Sequence, residues 1–219
     1  MTQGRKMKKN PMAPAKNENP AYHHGNLRRV LIDTALEIIS EQGAETLSLR
    51  QIAKIARVSH SAPYRHFKDK NAILAEVARE GFDMMLRQTE ERIARSRGNE
   101  LEHFAICGLS YIDFALNYPS HYRVMFGTRS EKSYFSDEFT PESTPSFQLL
   151  QDKIRICQEK GLLKAGVLQE MTLAAWSIVH GFAMLRIDQH IPDRGMDENT
   201  LKELKRSVVM TLYFGLRPE

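Results

Sequence analysis

Between Thr46 and Lys68 the chain carries five basic side chains, Arg50, Lys54, Arg57, Arg65 and Lys68, and no acid. Interleaved with them are the hydroxyls of Ser59, Ser61 and Tyr64 and the imidazoles of His60 and His66. Side chains of these kinds bind anions. Each Lys or Arg that neutralises a phosphate frees condensed counterions, so an acid-free basic strip favours a nucleic-acid backbone. Hydroxyls donate to phosphate oxygens, and a planar guanidinium such as that of Arg50 or Arg65 can donate two parallel bonds to a guanine edge. Lys70 opens the helix that follows, whose free N–H groups and positive dipole end also attract phosphate. A solvated basic face is the plainer alternative, and charge alone does not separate the two.

The other reactive side chains are scattered. His23 and His24 are adjacent but lack a third ligand nearby, and His103, His121, His180 and His190 stand at spacings unsuited to a metal. Cys107 and Cys157 are too few for a disulfide framework, and nothing near them marks a lowered thiol pKa, so small buried hydrophobes are expected. No glycine-rich phosphate loop or strand-turn nucleophile is present, which leaves a helical enzyme without support. Neither metal nor cofactor is expected.

The basic strip needs helices to position it. Ser48 caps a first short helix, about 49–56, that buries Leu49, Ile52 and Ala53. Ala56–Arg57–Val58 makes the turn, with Val58 plugging back into the core. A second short helix, about 60–67 with Ser59 as cap, then points Ser59, His60, Ser61, Ala62, Tyr64, Arg65 and His66 outward and returns Phe67 to the core. Two short helices across a turn of three or four residues form a helix-turn-helix, whose second member enters the major groove. Pro63 is a strain on this picture. Proline has no N–H and is tolerated only in the first helical turn, so it shifts the outward set by as much as one residue.

The rest of the chain has helical periodicity throughout. Leu27, Val30, Leu31, Thr34, Ala35, Ile38 and Ile39 share one face of a helix that Asn26 caps and Gly43 ends. Asp69 caps a long helix, about 70–95. Further helices are expected at about 100–117, 119–126, 142–160, 167–190 and 197–216. No stretch alternates with period two for long. The fold class is therefore all-α, about nine helices: an N-terminal three-helix helix-turn-helix domain joined by a long helix to a helical bundle.

Charge supports that division. Residues 1–70 hold 13 Lys and Arg against 6 Asp and Glu, whereas the remainder is net acidic. A polyanion partner for one end alone is the implication. Three regions are expected: a disordered basic tail over 1–21, a DNA-binding domain over 22–82, and a ligand-binding and dimerisation domain over 83–219. The tail's Arg5, Lys6, Lys8, Lys9 and Lys16 suit phosphate tracking or solubility equally. No apolar run reaches the roughly 20 residues of a membrane span. The basic start has no apolar stretch after it, so no secretory signal is recognised and a reducing cytoplasm is the expected setting.

Several motifs together resemble the TetR family of transcription regulators. They are Gly43 at the end of the first helix, Thr46–Leu47–Ser48–Leu49–Arg50, Ile52–Ala53, Val58–Ser59, Tyr64–Arg65–His66–Phe67 and Lys70–Asn71–Ala72–Ile73–Leu74. The approach Tyr22–His23–His24–Gly25–Asn26–Leu27–Arg28 and the later Trp176–x–x–x–His180–Gly181 are similar to one subgroup of that family. The resemblance implies an all-helical homodimer with two DNA-binding heads on a palindromic double-stranded operator. It also implies repression that ends when a small molecule occupies the C-terminal domain. On this sequence the DNA contacts would be Arg50, Ser59, His60, Ser61, Ala62, Tyr64, Arg65, His66 and Lys70.

An effector pocket would lie among the helices of residues 100–190. Tyr111, Phe114, Tyr122, Met125, Phe126, Met171, Trp176 and His180 are its candidate lining, and they suit a hydrophobic or aromatic effector. Trp176 and His180 share a helix face at i, i+4. Ordinary core packing is the plainer reading of each aromatic. The last two helices, apolar along Leu173, Ile178, Val179, Phe182 and Leu185 and along Leu201, Leu204, Val208, Leu212 and Phe214, are suited to a four-helix dimer interface, with burial inside the subunit as the alternative. A DNA-binding dimer with no effector also fits the sequence; a deep cavity in the C-terminal half distinguishes the two.

Overall fold

The computed structural model describes residues 27–127, 144–192 and 195–218. The basic tail, the His23–His24 pair and the Asn26 cap lie outside the described residues. Among the described residues there are eight α-helices, one short 3₁₀ turn and no strand.

Helix α1, Leu27–Gln42, turns Leu31, Ile32, Ala35, Ile38 and Ile39 into the core. It stops because Gly43 adopts a left-handed backbone, φ 86°, from which its N–H still reaches the Ile39 carbonyl at 3.0 Å. Helix α2, Leu49–Ile55, starts where the Ser48 hydroxyl accepts from the Gln51 N–H. The 3₁₀ turn Pro63–Arg65 follows, and the 26-residue α3, Lys70–Arg95, is capped by Asp69, whose carboxylate accepts from the Ala72 N–H at 2.9 Å. At 1.5 Å per residue, α3 is about 39 Å long, enough to join the head to the body.

The body comprises α4 (Glu100–Asn117), α5 (Pro119–Phe126), α6 (Pro145–Glu159), α7 (Leu168–Ile187) and α8 (Glu198–Leu216). Asn99, Thr144 and Asp197 cap α4, α6 and α8 through side-chain oxygens. Helix α7 ends three residues before its periodicity suggests, and Gln189, at φ 59°, turns the chain away. No helix among the described residues is long and apolar enough to cross a membrane.

Two buried clusters hold the molecule together. The larger runs without interruption from α1 and α2 through Ile73, Leu74, Val77 and Phe82 of α3 into Ile112, Phe114, Tyr122 and Val179 of the body. Each such side chain, fully buried, stabilises the fold by about 1.5–3 kcal/mol. The smaller gathers Phe104, Ile154, Cys157, Leu163, Met171, Ala175, Leu212 and Leu216 at the far end of α4, α6, α7 and α8.

Head and body meet where α1, α3 and α5 converge. Gly81 of α3 lets α5 approach until Met125 and His121 fill the space a side chain would occupy. Beside it, Arg29 of α1 donates to Glu80 of α3 at 2.6 Å, and Arg28 donates to Glu76 at 2.8 Å. The Arg28 bond, aided by Arg79, holds the Glu76 carboxyl at about 2, well below the usual carboxylate range. His121 is 7% exposed, its Nε2 3.9 Å from the Glu80 carboxylate that Arg29 already occupies.

Candidate nucleic-acid interface and ligand chamber

The turn after α2 is held by two backbone bonds, Ala56 N–H to Ile52 O at 2.8 Å and Val58 N–H to Ala53 O at 3.0 Å. Between them Arg57 takes a left-handed backbone, φ 55°. That is a strained state for an arginine, and its side chain emerges exposed. Val58 packs against the core from the edge, and Phe67 beneath it is buried with the Arg28 guanidinium 5.3 Å from its ring centre.

The segment expected as a helix over 60–67 is tighter. Ala62 N–H bonds to Ser59 O at 3.0 Å, Arg65 N–H to Ala62 O at 3.2 Å and His66 N–H to Pro63 O at 3.0 Å, all three-residue steps. Pro63 is the cause. It has no N–H to offer the Ser59 carbonyl, so the neighbouring Ala62 takes that acceptor and the chain coils as 3₁₀. One consequence corrects the sequence-based set. Ala62, expected to face outward, is buried together with Pro63 and forms the floor of the turn.

Above that floor Ser59, His60, Ser61, Tyr64, Arg65 and His66 are exposed, with Tyr64 at 54%. The Ser59 and Ser61 hydroxyls lie 3.3 Å apart. Arg50 is exposed on α2. Lys70 is half-buried and donates to the Glu45 carbonyl at 3.3 Å, which fixes its ammonium beside the start of α3. Among the described residues, Arg50, Lys54, Arg57, Arg65 and Lys68 form no ion pair. Several arginines elsewhere, among them Arg29, Arg79, Arg92 and Arg155, are paired with acids. Unpaired cations gathered on one face are the electrostatic footprint of a polyanion site.

The body holds a small cavity of about 50 Å³. Phe82, Met85 and Thr89 of α3 form one wall, and Phe104, Cys107, Gly108 and Tyr111 of α4 a second. Phe126 closes the α5 side. Ser146, Phe147, Leu149 and Leu150 line it from α6, and α7 and α8 complete it with Trp176, Val179, Val209 and Leu212. The rings interlock: Phe82 and Phe126 meet edge to face at 5.5 Å, and Phe147 and Trp176 at 6.0 Å.

One corner of the cavity is polar. Trp176 Nε1 donates to the Tyr111 hydroxyl at 3.0 Å, which lies 3.0 Å from the Tyr122 hydroxyl. Both phenols reach His180 Nδ1, at 2.9 and 2.7 Å. Burial pushes the His180 imidazole below its ordinary pKa and the phenols above theirs, so the cluster is neutral around pH 7. Cys107, buried in the wall, has its thiol pushed up to about 12 by the same cause.

Residues 31–77 match the family described as bacterial regulatory proteins, tetR family, and residues 104–210 match the tetracyclin repressor-like C-terminal domain. The chain belongs to the TetR family of helix-turn-helix transcription regulators. It is 27% identical over 201 residues to the HTH-type transcriptional regulator YobS of Bacillus subtilis, covering 88% of this chain and 93% of that one. A solved structure from Rhodococcus sp. RHA1, of a protein with unknown function, is 28% identical, with a TM-score of 0.75 over 91% of this chain and all of that one. A TetR family transcription regulator from Marinobacter aquaeolei VT8 has the same fold at 14% identity, with a TM-score of 0.69 over 89% of this chain and 97% of that one. TetR regulators bind DNA and dimerise.

In this TetR chain the expected pocket residues separate into three groups. Tyr111, Phe126 and Trp176 line the cavity, while Tyr122 and His180 stand behind them and hold Tyr111. Phe114, Met125 and Met171 lie elsewhere. Phe114 is fully buried against Tyr118, Met125 fills the gap at Gly81, and Met171 belongs to the smaller cluster. Sequence reasoning missed the α3 wall and the α8 contribution. A signal existed: Phe82, Met85 and Thr89, like Phe104, Cys107 and Tyr111, recur at i, i+3, i+7, a single helix stripe.

Proposed function

We propose that this TetR regulator is a repressor that sits as a homodimer on a palindromic operator and lets go when a hydrophobic or aromatic small molecule enters the body cavity. Arg50 and Arg65 read base edges, while Ser59, His60, Ser61, Tyr64, His66 and Lys70 engage the backbone. The carrying observation is that α3 runs from the basic face to the cavity. Its first residue, Lys70, lies beside the basic strip, and three turns on, Phe82 and Met85 form a cavity wall.

That arrangement supplies a mechanism. The cavity is only about 50 Å³, so an effector must part Phe82 of α3 from Phe126 of α5. Those helices touch at Gly81 and Met125, next to the Glu80–Arg29 pair that ties in α1. A displacement there re-aims the head. In a dimer, a small change in head spacing moves one recognition turn off its half-site, because half-sites repeat at about 34–36 Å or its multiples.

Dimerisation draws on the outer face of α7. Leu173, Ile178 and Leu185 are 51%, 39% and 45% exposed there, interspersed with the small Ala174, Ser177 and Gly181. Phe214 of α8 is a further exposed apolar side chain, at 56%. Selecting duplex DNA with the purified protein and footprinting the enriched fragments tests the reading. A two-fold symmetric footprint is expected, protected by a dimer and lost on adding the right ligand. Recovery of no preferred sequence would overturn it.

A further inference from the structure

The chemistry of the cavity wall constrains what can occupy it. This inference rests on the effector reading above. Among the described residues, no Lys, Arg, Asp or Glu lines the cavity. Its polar groups are hydroxyls, a thiol and one indole N–H, and most are already engaged. Thr89 donates to the Met85 carbonyl at 2.8 Å, and Trp176 donates to Tyr111. The Tyr111 hydroxyl shares its hydrogen bonding with Tyr122 and His180. The titratable groups at the wall and behind it, Cys107, Tyr111, Tyr122 and His180, are all held in their uncharged forms by burial. Lys153, whose charge is felt at Cys107, lies outside the lining.

We infer that the chamber selects electrically neutral ligands and rejects carboxylates and ammonium ions of the same size and shape. An ion entering would shed its water without meeting a countercharge, and the desolvation penalty is large. Aromatic faces soften that penalty for a cation but do not cancel it in the absence of an acid. Neutral alkyl or aromatic compounds lose only weakly held water and gain contact with Phe82, Phe126, Phe147 and Trp176.

Trp176 is the one tryptophan of the chain and stands in the wall, so its emission reports occupancy directly. The test compares 1-hexanol, hexanoate and hexylammonium at neutral pH on the full-length protein, by Trp176 fluorescence and by thermal midpoint. 1-Hexanol should bind at least about tenfold more tightly than either ion. Leu150→Lys, at a half-buried edge of the chamber that can keep an ammonium hydrated, should raise hexanoate affinity about tenfold relative to 1-hexanol. Hexanoate matching 1-hexanol on the native chain, as it would if Lys153 reached inward, overturns the inference and leaves the effector reading intact. So does a Leu150→Lys variant with an unchanged ranking. Silence from all three compounds in both readouts removes the effector reading and this inference with it.

Discussion

Gly81 of α3 and Met125 of α5 share one space: the methionine thioether occupies the position a β-carbon on the glycine would need. Met125 is 4% exposed and cannot swing into solvent, and the His121 β-carbon presses from the other side. Gly81→Ala should therefore overpack the contact and lower stability by about 1–3 kcal/mol. Denaturant titration measures this, and an unchanged midpoint would refute close packing at the joint. Because the same contact connects cavity and head, the variant should also answer a ligand less completely.

The interface prediction separates two kinds of contact. Arg50→Ala and Arg65→Ala should each lose about 1–3 kcal/mol on the preferred operator and relax base preference. Tyr64→Phe and Lys70→Ala should weaken binding to operator and scrambled duplex alike. Fluorescence anisotropy on both duplexes distinguishes the patterns. Affinity should fall steeply with salt, and a flat salt dependence would count against phosphate contact.

Acid should destabilise the fold in two stages. His121 and His180 are pushed below their ordinary value of 6.5, chiefly by burial. Above that value both the folded and unfolded chains are neutral at these sites. Below it the unfolded chain takes up protons that the folded chain refuses, so stability falls as pH drops from 6.5 toward the lowered values. Glu76 behaves as a paired carboxylate, and its contribution disappears between 4.5 and about 2. Thermal melts across this range check both stages, and His121→Gln should flatten the first.

Glu80→Gln isolates coupling from stability. Its partner Arg29 is 42% exposed at the side chain, so the pair adds no more than about 1 kcal/mol to the fold. The melting temperature should barely move. DNA release per bound ligand, measured in the same titration, should diminish because the charged tie of α1 to α3 nearest the joint is weakened, with only the Arg28–Glu76 pair left intact.

Ile178→Asp should convert the dimer to a monomer, since it places a carboxylate in the apolar stripe of α7. Sedimentation velocity checks the mass. Operator affinity should fall with it, as one head cannot span two half-sites.

The sequence conveyed the helices well because their signals are local. The caps at Ser48 and Asp69 and the stops at Gly43 and Pro119 each lie within a few residues of the boundary they mark, whereas the caps at Asn99 and Asp197 emerge only in the fold. The recognition turn was less legible. Pro63 announced a conflict, but only the coordinates show that it is settled by coiling as 3₁₀ and burying Ala62. The cavity was harder still. Periodicity gives the buried face of a helix, not the neighbour that face meets. Phe114 and Tyr111 both lie on buried positions of α4, yet Phe114 packs against Tyr118 and Tyr111 faces the cavity. The Tyr122–His180 bond joins residues 58 positions apart, a separation that single-sequence patterns do not encode.

The chamber occupies a seam. Phe82, Tyr111, Phe126 and Val179 of its wall belong to the core that also builds the head, whereas Phe104, Ala175 and Leu212 belong to the smaller cluster, with Leu150 packed against it. Substitutions on the second side, and along α6 that lines it, can accumulate without disturbing the helices beneath the recognition turn. A lineage built on this plan can acquire a new chemical vocabulary while continuing to recognise the same genes.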